Sequence, residues 1–144
     1  MVGSSIVKNG FLEARSHPGG SNLCLKDGEI GWPGKGGMLT NQLRSRIRTM
    51  LNFEYPPDYL IIHVGANDLG SMSTLDFCNI LKNTIRVISA NNVLGTKIIW
   101  SQMFPRFNWR YATDLIAMEK CRYRVNNSVA TYVLKHGGYD TQIL

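Results

Sequence analysis

Apolar residues recur at helical spacing in three stretches of the chain: Leu39, Leu43, Ile47 and Met50; Phe77, Leu81, Ile85 and Ile88; and Leu115, Met118, Val125, Val129 and Val133. Residues three and four apart share one face of a helix, so each set predicts an amphipathic helix with one buried stripe. Between these stretches the pattern changes. "YLIIHV" (59–64) and "KIIWSQM" (97–103) are short, nearly continuous apolar runs, the pattern of strands covered on both faces. "NLCL" (22–25) is a shorter candidate strand, and Gly137-Gly138 reads as a helix C-cap leading toward another. Strand and helix therefore alternate, which predicts right-handed crossovers, a parallel sheet and helices on both faces: an α/β domain of three layers, α/β/α.

No internal repeat, low-complexity segment or linker interrupts the chain, and 144 residues with 44% hydrophobic and 18% charged suit a single domain spanning 1–144. The two ends are short for a doubly wound sheet. "MVGSSIV" leaves a first strand almost no residues before the turn at Gly3, and after "HGGYDTQIL" the chain stops where another strand and loop are expected. The domain is thus expected to be truncated at both ends.

Composition narrows the setting. No apolar run approaches the roughly 20 residues of a membrane-spanning helix, and "MVGSSIVKNG" lacks the basic and long apolar regions of a signal peptide. The expected location is intracellular, cytoplasmic or nuclear. Cys24, Cys78 and Cys121 are odd in number, widely spaced and free of C-x-x-C pairing, so they read as core thiols in a reducing compartment rather than as disulfides or zinc ligands. The net charge of +6 gathers partly in two predicted helices, as Arg44, Arg46 and Arg48 and as Lys120, Arg122 and Arg124. Such clusters fit either a solvated helix face or a weak contact with nucleic acid or an anionic surface.

Three strand-end turns carry small or polar residues: "VGSSIV", "WPGKGGM" and "VGAND". In a parallel sheet the loops at the carboxyl ends of strands can converge on one crevice. A serine opening a helix just after Gly3 is exposed to positive helix-dipole potential, a suitable place for a nucleophilic hydroxyl, and Ser5 holds that position. A glycine N–H and an asparagine amide together can receive the oxyanion of an acyl-transfer intermediate, roles that Gly34 and Asn67 would fill. Taken singly, each turn has a structural explanation as an N-cap, a flexible loop or ordinary turn chemistry. Asp68 is open between lining the site and holding its turn through backbone hydrogen bonds.

The order of the three blocks resembles the SGNH or GDSL-type hydrolases, whose signature is a Ser block, a Gly block, a Gly-x-Asn-Asp block and a late Asp-x-x-His block. "GSSI" stands where G-D-S-L stands in that family, "GKGGM" is similar to the Gly block, and "GAND" matches the Asn block. The surrounding "VGSSIVKNGFLEARSHPGGSNLCL", "GWPGKGGM" and "IIWSQMFPRFNWR" resemble SGNH-like domains found in many copies in animal genomes, often beside retroelement sequences. The resemblance covers nearly the whole chain. It implies a flavodoxin-like fold and hydrolysis of a small ester through an acyl-serine intermediate. Ser5 would be the nucleophile, its own amide joining Gly34 and Asn67 in the oxyanion hole, with Gly36 the substitute for Gly34 in a loop this rich in glycine.

The chain departs from the pattern at two places. Ser4 replaces the aspartate before the nucleophile, and no Asp-x-x-His occurs in the 144 residues. A serine hydroxyl needs a neighbouring base, so a chain without one is expected to be an impaired or inactive esterase by itself. His63 lies inside an apolar strand, His17 precedes Pro18 in an early loop, and His136 precedes Gly-Gly at a helix end. The alternative is a non-catalytic module of the same fold that binds nucleic acid or an anionic surface through its basic helices. No cofactor or metal is expected, because the chain has no dinucleotide or P-loop glycine pattern and no metal-ligand spacing.

Overall fold

The computed structural model describes residues 1–52, 55–91 and 95–142. The elements follow in the order β1 (Val2–Gly3), α1 (Ser5–Ser16), α2 (Leu43–Leu51), β2 (Tyr59–His63), α3 (Thr74–Asn91), β3 (Lys97–Ser101), α4 (Leu115–Lys135) and β4 (Tyr139–Thr141). All strand pairs are parallel, in the spatial order β1-β2-β3-β4. The register sets Gly3 against His63, Ile62 against Trp100, and Trp100 against Asp140. On the free edge of β1, Gly34 adds a single parallel bridge to Gly3.

Side chains alternate across the sheet, so each face has its own set. Val2, Leu60, Ile62, Val64, Ile98 and Trp100 form one apolar face, buried against Leu43 and Ile47 of α2, Phe77, Leu81 and Ile85 of α3, and Val125, Val129 and Val133 of α4. The other face carries Gly3, Tyr59, Ile61, His63, Lys97, Ile99 and Tyr139, as the register requires. Here α1 lies over β1: a Cβ on Gly3 would run into the Val7 side chain and the His63 carbonyl oxygen. Glycine therefore lets α1 approach the sheet closely.

An α/β domain with a four-strand parallel sheet and helices on both faces is compatible with the three-layer arrangement expected. Its layers are unequal. Three helices cover one face, whereas on the other Tyr59 and Tyr139 remain 54% and 44% exposed. Among the described residues, no helix is long and apolar enough to cross a membrane.

The three periodic stretches form α2, α3 and α4, except that Leu39 is extended and precedes a 3-10 turn at Thr40–Gln42 ahead of α2, and Gly137, at φ +77°, ends α4 just before β4. One expected strand is absent. "NLCL" instead follows a 3-10 turn at Gly20–Asn22 with Leu23 and Cys24 in the left-handed region. The Asn22 side chain explains this: it donates to the Leu25 and Gly28 carbonyls and accepts from Ile30 N–H, so a local network replaces strand pairing. The thiols also divide. Cys78 is buried and Cys121 half-buried, but Cys24 is exposed, because the same turn carries it outward.

Candidate functional site

Parallel strands bring all their carboxyl ends to one edge, where the turn after β1, the glycine loop beside it, and the turns after β2 and β3 emerge. Ser4 is the N-cap of α1 in extended conformation; its N–H donates to the His63 carbonyl at 3.4 Å and its carbonyl accepts from Val7 and Lys8. Ser5 is consequently the first helical residue, half-buried, with its amide in the turn that lacks intrahelical acceptors. Its hydroxyl makes no hydrogen bond among the described residues.

The glycine loop is fastened to this turn. Lys35 N–H donates to the Gly3 carbonyl at 3.0 Å, and a Cβ on Gly34 would run into the Lys8 backbone. Gly34 is therefore a close-contact glycine, and its N–H is directed to the Trp32 carbonyl at 2.7 Å. Gly36 is exposed, with open space around its Cα, and its N–H has no acceptor among the described residues. Of the two glycines, Gly36 is the one with a free donor.

Two side chains join the turn after β2 to the same loop. Asn67 Nδ2 donates to the Met38 carbonyl at 3.1 Å. Asp68 Oδ2 accepts from both the N–H and the hydroxyl of buried Thr40, each at 2.9 Å. Asp68 thus acts as an anchor between the two loops. Gly65, at φ +108°, reverses the chain directly after the strand, and its carbonyl accepts from Asp68 and Leu69.

The turn after β3 adds Phe104, Arg106 and Trp109, and it meets His63 at the end of β2. His63 is 2% exposed, its Nδ1 lies 3.1 Å from Ser101 Oγ, and its ring packs on Phe104 at 5.1 Å between centroids. Burial lowers its pKa below the ordinary 6.5; a hydrogen bond to Ser101 opposes this, and the positive charge of Arg106 adds to the lowering. Neutral imidazole is the favoured form. Arg106 Nη1 reaches Asn67 Oδ1 at 3.4 Å, and the guanidinium lies 5.7 Å from the centre of the Trp109 ring. The turn is held from below: Asn126 of α4 accepts from Met103 N–H at 2.9 Å and donates to its carbonyl at 3.0 Å, where Arg122 also donates at 2.9 Å.

Ser5, Gly34, Gly36, Asn67 and Asp68 all lie on segments gathered at this edge. The other two histidines lie on different features. His17 is exposed after α1, 3.7 Å from Glu13, and His136 caps α4 with Nδ1 near the Tyr132 carbonyl at 2.7 Å. Among the described residues, no group of three His, Cys, Asp or Glu side chains is placed to hold a metal ion. Of the basic clusters, Arg44, Arg48, Lys120 and Arg124 are exposed, while Arg122 is bound to Glu119 and the Met103 carbonyl. Arg106 had a sequence signal in its position, a lone cation in the aromatic stretch "FPRFNW" just beyond a strand. No protein-family model matches the chain, and no curated protein is similar enough to serve as a relative.

Proposed function

We propose that the chain is an SGNH-type ester hydrolase domain, with Ser5 as nucleophile and the Ser5 N–H, Gly36 N–H and Asn67 amide receiving the oxyanion. One observation carries the reading: at the carboxyl edge of a parallel sheet the glycine loop is hydrogen-bonded both to the Ser5 turn, from Lys35 N–H to the Gly3 carbonyl, and to the Asn67 turn, from Asn67 Nδ2 to the Met38 carbonyl. The order Gly34 segment, β1, β2, β3, β4 also agrees with the flavodoxin-like order 2-1-3-4-5, with the second strand reduced to one bridge.

In this reaction the Ser5 oxygen forms a bond to the ester carbonyl carbon, and the carbonyl electron pair moves onto oxygen, where the three donors stabilise it. Collapse of the intermediate expels the alcohol and leaves an acyl-serine, which water hydrolyses. The Ser5 proton must pass to a base, which for this chain is solvent, and solvent likewise protonates a departing alkoxide. The 144 residues contain no Asp-x-x-His, and His63 is engaged with Ser101. Turnover by this chain is therefore expected to be slow, at the level that oxyanion donors and binding provide alone. An activated aryl acetate, whose leaving group needs no proton, is the appropriate probe. Mass spectrometry should find one acetyl group on Ser5 and none after Ser5→Ala; acetylation and turnover that persist in Ser5→Ala would overturn the proposal.

A second reading draws on α2, where Arg44 and Arg48 are exposed and form no ion pair among the described residues. A basic helix face of this kind suits a module that binds nucleic acid or an anionic surface. Binding of an oligonucleotide should then weaken steeply with salt and fall when both arginines become glutamate. Affinity unchanged by either test would remove this reading.

A further inference from the structure

Arg106 is a partly desolvated cation without a counterion among the described residues. It forms no ion pair among the described residues, and its single hydrogen bond, to Asn67 Oδ1, is long at 3.4 Å. A guanidinium has five N–H donors in a rigid fork, so most of its capacity is unused here. Desolvation holds its pKa below the ordinary value, and among the described residues no carboxylate pairs with it. The guanidinium has a cation–π partner in the face of the Trp109 ring, which leaves most of its in-plane N–H donors unused.

Two buried polar atoms nearby also lack hydrogen-bond partners among the described residues. Trp109 Nε1 belongs to the ring beside the guanidinium, in a residue only 7% exposed, and His63 Nε2 belongs to a residue only 2% exposed. Buried polar groups are ordinarily satisfied, and an indole N–H can only donate, so Trp109 Nε1 calls for an acceptor that the described residues do not supply; His63 Nε2 is a donor in the tautomer whose Nδ1 accepts from Ser101. The cluster lies beside Asn67, at the edge where the candidate oxyanion donors gather.

We propose that Arg106, held beside Trp109 and Asn67, binds an anionic group of the ligand, a carboxylate or a phosphoryl group. Bidentate pairing of a guanidinium with either group is planar, short and selective over neutral ligands. The assignment of that anion to an ester substrate rests on the hydrolase reading and makes the preferred substrate a negatively charged ester. Anion binding itself is independent of that reading.

The test uses the 144-residue chain at constant ionic strength, titrated with inorganic phosphate and separately with acetate. Tryptophan fluorescence is followed, and Trp109→Phe assigns the signal. A saturable response is expected that disappears in Arg106→Gln and weakens about tenfold in Arg106→Lys, which keeps the charge but loses the fork. Tighter binding of phosphate identifies a phosphoryl source, and equal or tighter binding of acetate a carboxylate. No saturable response in the parent chain, or one unchanged in Arg106→Gln, overturns the proposal.

A paired assay separates this proposal from the hydrolase reading. With a neutral acetyl ester and its carboxylate-bearing analogue, Arg106→Gln should raise KM for the charged ester by a larger factor than for the neutral one; equal factors for the two esters count against anion recognition by Arg106. Arg106-dependent phosphate binding with no acylation of Ser5 sinks the hydrolase and leaves the anion site standing. Ser5-dependent hydrolysis with Arg106-independent phosphate binding does the reverse.

Discussion

Asn126 provides the sharpest test of how the candidate site is held in place. It is a polar residue on the buried face of α4, 1% exposed, and both ends of its amide are committed to the backbone of Met103, itself fully buried. Met103 begins the turn that carries Phe104 and Arg106. In Asn126→Ala the carbonyl of Met103 loses one of two donors but keeps Arg122, a loss of about 1 kcal/mol. The Met103 N–H is left buried with no acceptor, which costs about 1–3 kcal/mol. Alanine's better helix propensity returns about 0.5 kcal/mol. The net expectation is a destabilisation of about 1.5–3.5 kcal/mol, a melting temperature lower by roughly 4–12 °C for a domain of this size.

The control is Asn127→Ala, one residue along the same helix but exposed. It makes the same propensity change and disturbs no bond of Met103. Urea unfolding of the two variants, compared at equal m-value, isolates the amide's contribution. A difference below about 0.5 kcal/mol would refute the reasoning. Arg122→Ala alone should be milder than in the Asn126→Ala background, because the carbonyl then loses its last donor; additive effects would deny that the two share it.

Two other predictions follow from the site. His63 has a folded-state pKa below the ordinary 6.5, so the unfolded chain takes up its proton first, and stability should fall as pH drops below about 6.5; His63→Gln should flatten that part of a stability profile measured by urea unfolding, and an unchanged slope would count against a buried neutral imidazole. Asp68→Ala removes the acceptor of two groups on buried Thr40 and should destabilise by about 2–4 kcal/mol, with Asp68→Asn milder because it keeps an oxygen there; an alanine variant as stable as the parent would show that the two loops are joined by other means.

Much of the framework was legible because it depends on periodicity. The stripes Leu43/Ile47, Phe77/Leu81/Ile85 and Val125/Val129/Val133 bury apolar area in the only way a helix with that spacing can, and the runs around Ile62 and Trp100 became neighbouring strands of one parallel sheet. "NLCL" misled because three apolar or thiol positions carry little pattern, and one side chain, Asn22, could satisfy the local backbone instead. Cys24 was misplaced with it. For the site, "GSSI", "GKGGM" and "GAND" marked the turns that meet, but not which donors remain free. Gly34 looks equivalent to Gly36 in a one-dimensional string, and only contact with Lys8 and the bond to Trp32 distinguish them.

The sequence by itself determined the local elements: the helical faces, the central strands, the glycine turns and the alternation that makes the sheet parallel. These follow from spacings of a few residues, where side-chain direction is set by the backbone period. Tertiary structure alone decided which loops touch, that Asp68 anchors Thr40, that Asn126 holds Met103, and that Arg106 is left beside Trp109 and Asn67 without a counterion among the described residues. The physical reason is separation along the chain: Thr40 and Asp68 are 28 residues apart, and Asn67 and Arg106 are 39 apart. Pairings at that distance are chosen by the packing of the whole sheet and its helices, and no local pattern encodes them.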